Sequence, residues 1–147
     1  MMAERAAPVS RDILRRLPKA ELHCHLDGSV RPQTLLDLGE ETGLRMPRHD
    51  AASLADYMRV DDARNLEDYL ARFEITLAVM QTAPALERIA YELVADAAAE
   101  GVRYMEIRYA PVLNTRDGLA MQDVVEATLR GLQRAEREHD IVPRLII

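Results

Sequence analysis

The sequence has few of the features that mark secreted, disulfide-bonded or membrane-spanning proteins. It contains one cysteine, so no internal disulfide can form, and a lone thiol is compatible with a reducing cytoplasm. No apolar run approaches the roughly 20 residues of a membrane span. The leading residues carry Glu4, Arg5, Arg11 and Asp12, without the apolar segment of a signal peptide. We therefore predict a cytoplasmic protein with no membrane partner.

Concentrated charge of one sign is also missing. The chain has 19 Lys and Arg against 25 Asp and Glu, a net charge of −6, and the two signs are interspersed. Binding to phosphates of nucleic acid needs a concentrated basic surface, so nucleic acid is not the expected partner. A small neutral or cationic substrate fits the charge better. The 147 residues, 48% hydrophobic and 30% charged, have the composition of one globular domain.

What the sequence does contain is an alternation of strand and helix patterns. Short strands rich in Val, Tyr and Ile are separated by helical stripes with capping residues and glycine or proline stops. The predicted elements are a helix capped by Ser10, a strand over 20–27, a helix over 32–43, a short helix over 53–58, helices over 65–80 and 86–97, a strand over 102–110, a helix over 121–138 and a strand from 144. This order predicts a parallel sheet built from βα units.

The first strand carries three polar side chains at a spacing of two residues. On a strand, His23, His25 and Asp27 all point to one face, and the opposite face is apolar. The apolar face consists of Leu22, Cys24 and Leu26. The strand runs into Gly28, so the polar groups lie at its carboxyl end, where parallel sheets and barrels bind ligands. We interpret this stretch as part of an active site.

The two histidines of this strand suit a divalent transition metal, most often zinc. Their backbone positions are about 7 Å apart, close enough for both imidazoles to reach one ion. The alternative is two structural histidines in a polar patch. Asp27 can be a ligand, a base, an acceptor for a substrate hydroxyl, or simply a turn residue. His49 and His139 lie in polar surroundings, which predicts solvated surface positions.

Two further stripes have open interpretations. Tyr69, Leu70 and Phe73 belong to a helical stripe that is either core or the wall of an apolar pocket beneath a lid. Glu106 and Arg108 share a strand face with Tyr104. If that face looks into a barrel the two charges must pair, whereas on an open sheet they would be solvated.

Together these residues resemble the adenosine deaminase family. The resemblance is carried by residues 17–29 (LPKAELHCHLDGS), 69–73 (YLARF), 89–92 (IAYE) and 101–109 (GVRYMEIRY). It implies a (β/α)8 barrel with one zinc ion that hydrolyses adenosine or 2′-deoxyadenosine to an inosine product and ammonia, in purine salvage. The resemblance makes His23 and His25 metal ligands, His25 and Asp27 substrate-binding residues, and Tyr69, Leu70 and Phe73 the wall of the pocket.

The resemblance also implies an incomplete barrel, because eight βα units need about 250 residues. We expect residues 1–147 to be the amino-terminal part of one deaminase domain, with a leading segment over 1–17, a helical insertion over 29–100 and about strands 1 to 3. The other zinc ligands, the acid–base glutamate and the orienting histidine are expected beyond Ile147, so we expect no catalytic residue here and no activity from the chain alone. The alternatives are an adenine or AMP deaminase relative, or a non-catalytic fragment. Asp27 favours a ribose-bearing substrate.

Overall fold

The computed structural model describes residues 9–59 and 66–147, without the side chains of residues 66, 68, 69 and 71. Helices and strands alternate as the sequence predicts. In chain order the elements are α1 (Arg11–Arg16), β1 (Lys19–His25), α2 (Pro32–Thr42), α3 (Ala51–Met58), α4 (Leu66–Val79), α5 (Ala83–Ala99), β2 (Val102–Arg108), a 3-10 turn (Pro111–Asn114), α6 (Met121–Glu138) and β3 (Val142–Ile146).

The three strands form one parallel sheet in the order β1-β2-β3. His25 lies opposite Arg108, and Arg108 lies opposite Ile146, so the carboxyl ends of the strands meet at one edge. The predicted parallel α/β architecture is confirmed. β3 begins two residues earlier than predicted and includes Pro143, which pairs with Met105. Proline is tolerated in strands that pair on one side, as β3 does within the described part of the chain.

Local signals place most helix ends. The Ser10 hydroxyl accepts a hydrogen bond from the Ile13 N–H at 3.3 Å, as expected for an N-cap. Gly43 ends α2 in the left-handed region at φ 71°, a conformation that glycine adopts without strain. Helix α3 starts earlier than predicted, because the carboxylate of Asp50 caps it by accepting from Ser53 N–H at 2.9 Å. The predicted cap at Asn65 lies outside the described residues.

The core lies between β2 and the helices α5 and α6. Its fully buried side chains include Leu86, Ile89, Val94, Ile107 and Val124. The two helices approach closely at Gly131, where a Cβ atom would lie 2.3 Å from the Glu87 carbonyl oxygen. Only glycine fits at this crossing.

Ion pairs and hydrogen bonds hold helix α2 against α5. Arg31 binds Asp96 at 2.6 Å, and Arg88 binds Asp37 at 2.6 Å. The buried hydroxyl of Thr34 donates to the Glu92 carboxylate. These contacts position the helical segment between β1 and β2. No helix in the described part of the chain is long and apolar enough to cross a membrane.

The first strand is less covered than the sequence predicts. Leu26 is fully buried and Cys24 half-buried, in agreement with an apolar face. Leu22 is 57% exposed, so its predicted burial is wrong. Among the described residues, α5 packs on β2 and α6 on β3, and the side chain of Leu22 is left largely uncovered.

Candidate active site

An open pocket of about 870 Å³ lies where β1 and β2 end. β1 and the turn after it supply His23, His25 and Asp27, and the end of β2 and the 3-10 turn after it supply Arg108 and Leu113. Helix α4 closes one side. The pocket therefore unites the polar face of β1 with a helix from the insertion, and the three polar residues identified in the sequence meet in one place.

The two histidines converge more closely than their backbone spacing requires. Their Nε2 atoms are 3.2 Å apart, and their rings stack at 5.2 Å between centroids with an interplanar angle of 25°. Two imidazole nitrogens bound to a tetrahedral zinc at about 2.0–2.1 Å lie about 3.3–3.4 Å apart. The observed separation thus fits one shared ion. It also fits a hydrogen bond between one protonated and one unprotonated ring nitrogen.

The histidine pair could supply two ligands to a metal ion, which is fewer than a zinc site needs. Zinc takes four ligands in structural sites and three protein ligands in catalytic ones. Within residues 9–59 and 66–147, no group of three or more His, Cys, Asp or Glu side chains could hold a metal ion. Asp27 comes near, with Oδ1 at 3.8 Å from His25 Nδ1. That distance is too long for a hydrogen bond.

Asp27 presents an acceptor that the described chain does not satisfy. Its side chain is 13% exposed, and its Oδ1 is buried without a hydrogen-bond partner among the described residues. Asp27 also borders a smaller cavity of about 160 Å³ beside Met58 and Phe73. A buried carboxylate oxygen without a donor is costly, so this atom is suited to accept from a ligand.

Cys24 and Ser29 stabilise the end of the strand. The Ser29 hydroxyl donates to the His25 carbonyl oxygen at 2.6 Å and lies 3.3 Å from Cys24 Sγ. Burial raises the pKa of the Cys24 thiol, so it stays protonated near neutrality. This agrees with the interpretation of Cys24 as an apolar residue. The contact of Ser29 with the strand end was not predicted from the sequence, although such local hydrogen bonds from a serine hydroxyl to a nearby backbone carbonyl are common.

The remaining histidines lie away from the pocket. His49 is exposed, as predicted. His139 is half-buried rather than solvated, with Nε2 at 3.5 Å from the Tyr91 hydroxyl. The prediction of a surface position is therefore wrong for His139, because Tyr91 of α5 packs beside it at the end of α6.

Helix α4 supplies the apolar wall. Leu70 is 51% exposed and faces the pocket with Phe73, whereas Leu77 is buried. The first half of the stripe is pocket wall, and Leu77 in the second half is buried and also borders the pocket. A Cβ atom at Gly28 would lie 3.4 Å from the Phe73 ring. The side chain of Tyr69 lies outside the described part of the structure, so its predicted place in the wall stays a prediction.

Hydrogen bonds and an ion pair connect α4 and the residues that follow it to the segment after β2. The buried Gln81 amide donates to the carbonyl oxygens of Leu77 and Leu113 and accepts from the Arg116 N–H. Arg116 binds Glu74 with both Nη atoms, at 2.8 and 3.3 Å, and this guanidinium lowers the pKa of Glu74. The contacts of Gln81 with Leu113 and Arg116, and of Glu74 with Arg116, were missed because these partners are more than 30 positions apart in the chain.

The charged face of β2 is partly paired. Glu106 Oε2 is 4.0 Å from Arg108 Nη2, and both side chains are about 30% exposed. The Tyr104 hydroxyl donates to Glu106 at 3.0 Å, which raises the pKa of that tyrosine. The two charges are therefore neither fully solvated nor joined in a close pair.

Comparison with known proteins identifies relatives over most of the chain. The sequence model of the family described as "Adenosine deaminase" matches residues 18–147. An adenosine deaminase of Vibrio vulnificus is 49% identical over 126 residues, which are 85% of this chain and 38% of that protein. One from Shewanella woodyi is 45% identical over 132 residues, 89% of this chain and 40% of that protein. The chain thus spans about two fifths of these relatives.

Solved structures give the same picture. Adenine deaminase from Arthrobacter aurescens superposes with a TM-score of 0.76 at 28% identity, over 87% of this chain and 38% of that one. An amidohydrolase from Burkholderia ambifaria with bound Zn has a TM-score of 0.75 at 31% identity, over 98% and 40%. The N6-mAMP deaminase of Arabidopsis has a TM-score of 0.72 at 29% identity, over 91% and 41%.

Proposed function

The chain belongs to the adenosine deaminase family, a family of hydrolytic deaminases. From this membership we propose an activity for the natural protein that contains the chain. That activity is the zinc-dependent hydrolysis of adenosine and 2′-deoxyadenosine to inosine or 2′-deoxyinosine and ammonia, in cytoplasmic purine salvage. The 3.2 Å separation of the His23 and His25 Nε2 atoms is the observation that carries the proposal. It matches the spacing of two nitrogens on one tetrahedral zinc ion.

We propose further that residues 1–147 form the amino-terminal part of a (β/α)8 barrel. The leading segment is 1–17, and 29–100 is the helical insertion between the first two strands. The parallel sheet and the span of about two fifths of the relatives support this assignment. The chain spans about two fifths of these relatives, and His23 and His25 are two ligands where a catalytic zinc takes three from the protein, so we expect the 147 residues by themselves to be inactive.

Each residue of the pocket has a distinct part in this chemistry. A zinc ion held at this site would supply the Lewis acid that activates water for hydrolysis. His23 and His25 would hold that ion through their Nε2 atoms, and His25 would also contact the substrate. Asp27 would accept a hydrogen bond from a ribose hydroxyl with its unsatisfied Oδ1. Leu70 and Phe73 would cover the apolar face of the purine and exclude water.

A related substrate is the second candidate, since adenine deaminase and N6-mAMP deaminase are among the similar structures. Asp27 separates these possibilities. A carboxylate that binds ribose contributes to adenosine, 2′-deoxyadenosine and AMP but has nothing to bind in free adenine. The buried, unsatisfied Oδ1 therefore favours a substrate that carries a sugar.

The test uses the natural protein expressed from its complete coding sequence and assayed with adenosine, 2′-deoxyadenosine, adenine and AMP. We expect adenosine to give the highest kcat/KM. Asp27→Ala should lower that value about 10–100-fold, because a hydrogen bond to a charged group contributes about 1.5–3 kcal/mol, and should leave adenine turnover unchanged. His23→Ala should abolish zinc binding and turnover together.

His49→Ala is the matched control, because His49 is an exposed histidine away from the pocket. It should bind zinc and deaminate adenosine as the wild type does. Faster turnover of adenine or AMP than of adenosine would contradict the substrate assignment. An inactive natural protein loaded with zinc would favour a non-catalytic role, and zinc-dependent turnover by the 147 residues alone would refute the expected inactivity.

A further inference from the structure

The pairing of β1 with β2 is irregular at the first of the two histidines. Glu21 lies opposite Met105 and Cys24 opposite Ile107, so β1 advances three residues where β2 advances two. One extra residue in a strand is a β-bulge, which interrupts the ladder and changes the direction of the side chains around it. The residues without a paired position on β2 are Leu22–His23, the peptide unit from which the first candidate ligand projects.

Charged side chains bind both polar groups of this peptide unit. The His23 N–H donates to Oε1 of Glu21 at 3.0 Å. The Leu22 carbonyl oxygen accepts from Nη2 of Arg108 at 2.9 Å. The two groups belong to one planar peptide, so the two bonds hold its plane from opposite sides. The orientation of that plane decides where the His23 side chain points.

Arg108 contacts the backbone beside the second histidine as well. It is the register partner of His25, and its carbonyl oxygen accepts from the Leu26 N–H at 3.0 Å. A single residue of β2 therefore lies next to the backbone of both imidazole-bearing residues. Its main chain fixes the position of His25, and its side chain reaches the peptide before His23.

The placement of Arg108 is not explained by stability alone. Its Nε is buried and has no hydrogen-bond partner within the described chain. A buried unsatisfied donor opposes folding by about 1–3 kcal/mol. Arg108 nevertheless donates to the Leu22 carbonyl oxygen. Glu21, which accepts from the His23 N–H, is an exposed residue. The side chains of Glu21 and Arg108 thus both bind the Leu22–His23 peptide unit.

We propose that Glu21 and Arg108 are positioning residues that orient His23, so that its Nε2 meets that of His25 at a separation one zinc ion can bridge. The inference rests on the proposed zinc site and adds the residues that shape it. Partners that orient metal ligands typically change metal affinity by about 10–100-fold when they are lost. Glu21 and Arg108 act on the backbone of the ligand rather than on its ring.

The experiment measures zinc affinity of the natural protein by competition with a chromophoric chelator. Arg108→Met and Glu21→Ala should each raise the Kd for zinc by about 10–100-fold. Glu21→Gln retains a carbonyl oxygen that can accept from the His23 N–H, so it should restore most of the affinity. After replacement of zinc by Co²⁺, the visible absorption bands should change in the two weakened variants and match the wild type in Glu21→Gln.

Arg103→Met is the matched control. Arg103 lies on the same strand, but its guanidinium contacts Asp140 at the other end. It should leave the zinc Kd and the Co²⁺ spectrum unchanged. Circular dichroism checks the folding of each variant. If Arg108→Met does not fold, the comparison of Glu21→Ala with Glu21→Gln tests the proposal, because Glu21 is exposed.

The outcomes separate this inference from the proposed function. Wild-type zinc binding that Arg108→Met and Glu21→Ala leave unchanged would overturn the positioning role and leave the deaminase assignment intact. Equal loss in Glu21→Ala and Glu21→Gln would overturn the role of Glu21 as a backbone acceptor. A wild-type protein that binds no zinc, or that binds it undiminished after His23→Ala, would overturn the proposed zinc site and the inference with it.

Discussion

The β2–α5–α6 side of the molecule and the carboxyl end of β1 are held by different interactions. Between the helices and β2, apolar side chains such as Leu86 and Ile107 are fully buried. At the end of β1, the strand is largely exposed, and its backbone is fixed by the side chains of Glu21, Arg108 and Ser29. The first region is held by close packing and the second by directional hydrogen bonds.

The difference predicts where stability and function can be separated. Packing is non-directional and sums over many contacts, so it determines the free energy of unfolding. A few hydrogen bonds at an exposed strand contribute less to stability than the buried core does, and they set the orientation of the groups they join. Substitutions between the helices should therefore reduce stability, whereas substitutions beside His23 should alter metal binding with little change in stability.

The largest effect is expected from truncation of a buried leucine. Leu86→Ala should lower the free energy of unfolding by about 2–5 kcal/mol, because it removes fully buried apolar contacts and leaves a cavity. Leu22→Ala is the matched substitution in the other region. Leu22 is 57% exposed, so its loss should change stability by no more than about 0.5 kcal/mol. Denaturant unfolding of the 147-residue chain, to which these exposures apply, measures both values.

Similar losses for the two leucines would break the comparison. A large loss for Leu22→Ala would mean that its side chain is buried in the protein in solution. A small loss for Leu86→Ala would mean that the helices can repack around the missing atoms.

Two helical glycines provide a smaller and sharper comparison. A Cβ at Gly131 would lie 2.3 Å from the Glu87 carbonyl oxygen, a backbone atom that cannot move without separating α5 from α6. Gly131→Ala should therefore cost about 1–3 kcal/mol. A Cβ at Gly39 in α2 would lie 2.6 Å from Cε and 3.0 Å from Cγ of Met46, a flexible side chain that can move, and 3.4 Å from the Leu44 carbonyl oxygen, an ordinary contact.

Gly39→Ala is thus the control for the loss of glycine itself. It should be neutral or stabilising by up to about 1 kcal/mol, since alanine is the better helix former. Thermal unfolding of the two variants tests the pair. If Gly131→Ala were as stable as wild type, the close approach of α5 and α6 at this residue would be contradicted.

The same division explains what could be predicted from the sequence. Period and capping are local, so the parallel βα order and the common face of His23, His25 and Asp27 could be predicted from short stretches. The convergence of the two Nε2 atoms could not. It accompanies a bulge held by Arg108, which is 86 positions from Leu22 in the chain. Spacing of two residues predicts a backbone distance of about 7 Å, and only strand pairing reveals the bulge.

Burial was predictable for the helices and less so for β1. The apolar stripe of an amphipathic helix predicts which face is buried, and the buried residues of α5 and α6 lie on that stripe. The alternation of a strand predicts two faces but does not show what covers each of them. Leu22 was therefore predicted to lie in an apolar layer, whereas its side chain is exposed. The half-buried His139 has the same explanation, because its neighbour Tyr91 comes from another helix.

The smallest predicted effect concerns the ion pair that joins α4 to the loop after β2. Arg116 lowers the pKa of Glu74, whose ordinary value is 4.5. A carboxyl with a lowered pKa in the folded state stabilises the fold above its ordinary pKa and loses that contribution as the pH falls through the lowered value. Glu74→Gln should therefore be slightly less stable than wild type at pH 7 and equal to it once the pH is well below 4.5.

Both side chains are largely exposed, so the difference at pH 7 should also shrink in 1 M salt, where the Debye length is about 3 Å. Unfolding curves at several pH values, with and without salt, measure it. In an Arg116→Gln background the Glu74→Gln substitution should have no pH-dependent effect, since the charge partner is gone. A difference that persists at low pH or in this background would mean that Glu74 acts through packing or hydrogen bonding. Helix α4 would then be fastened over the pocket by the buried Gln81 contacts, with no measurable share from the ion pair.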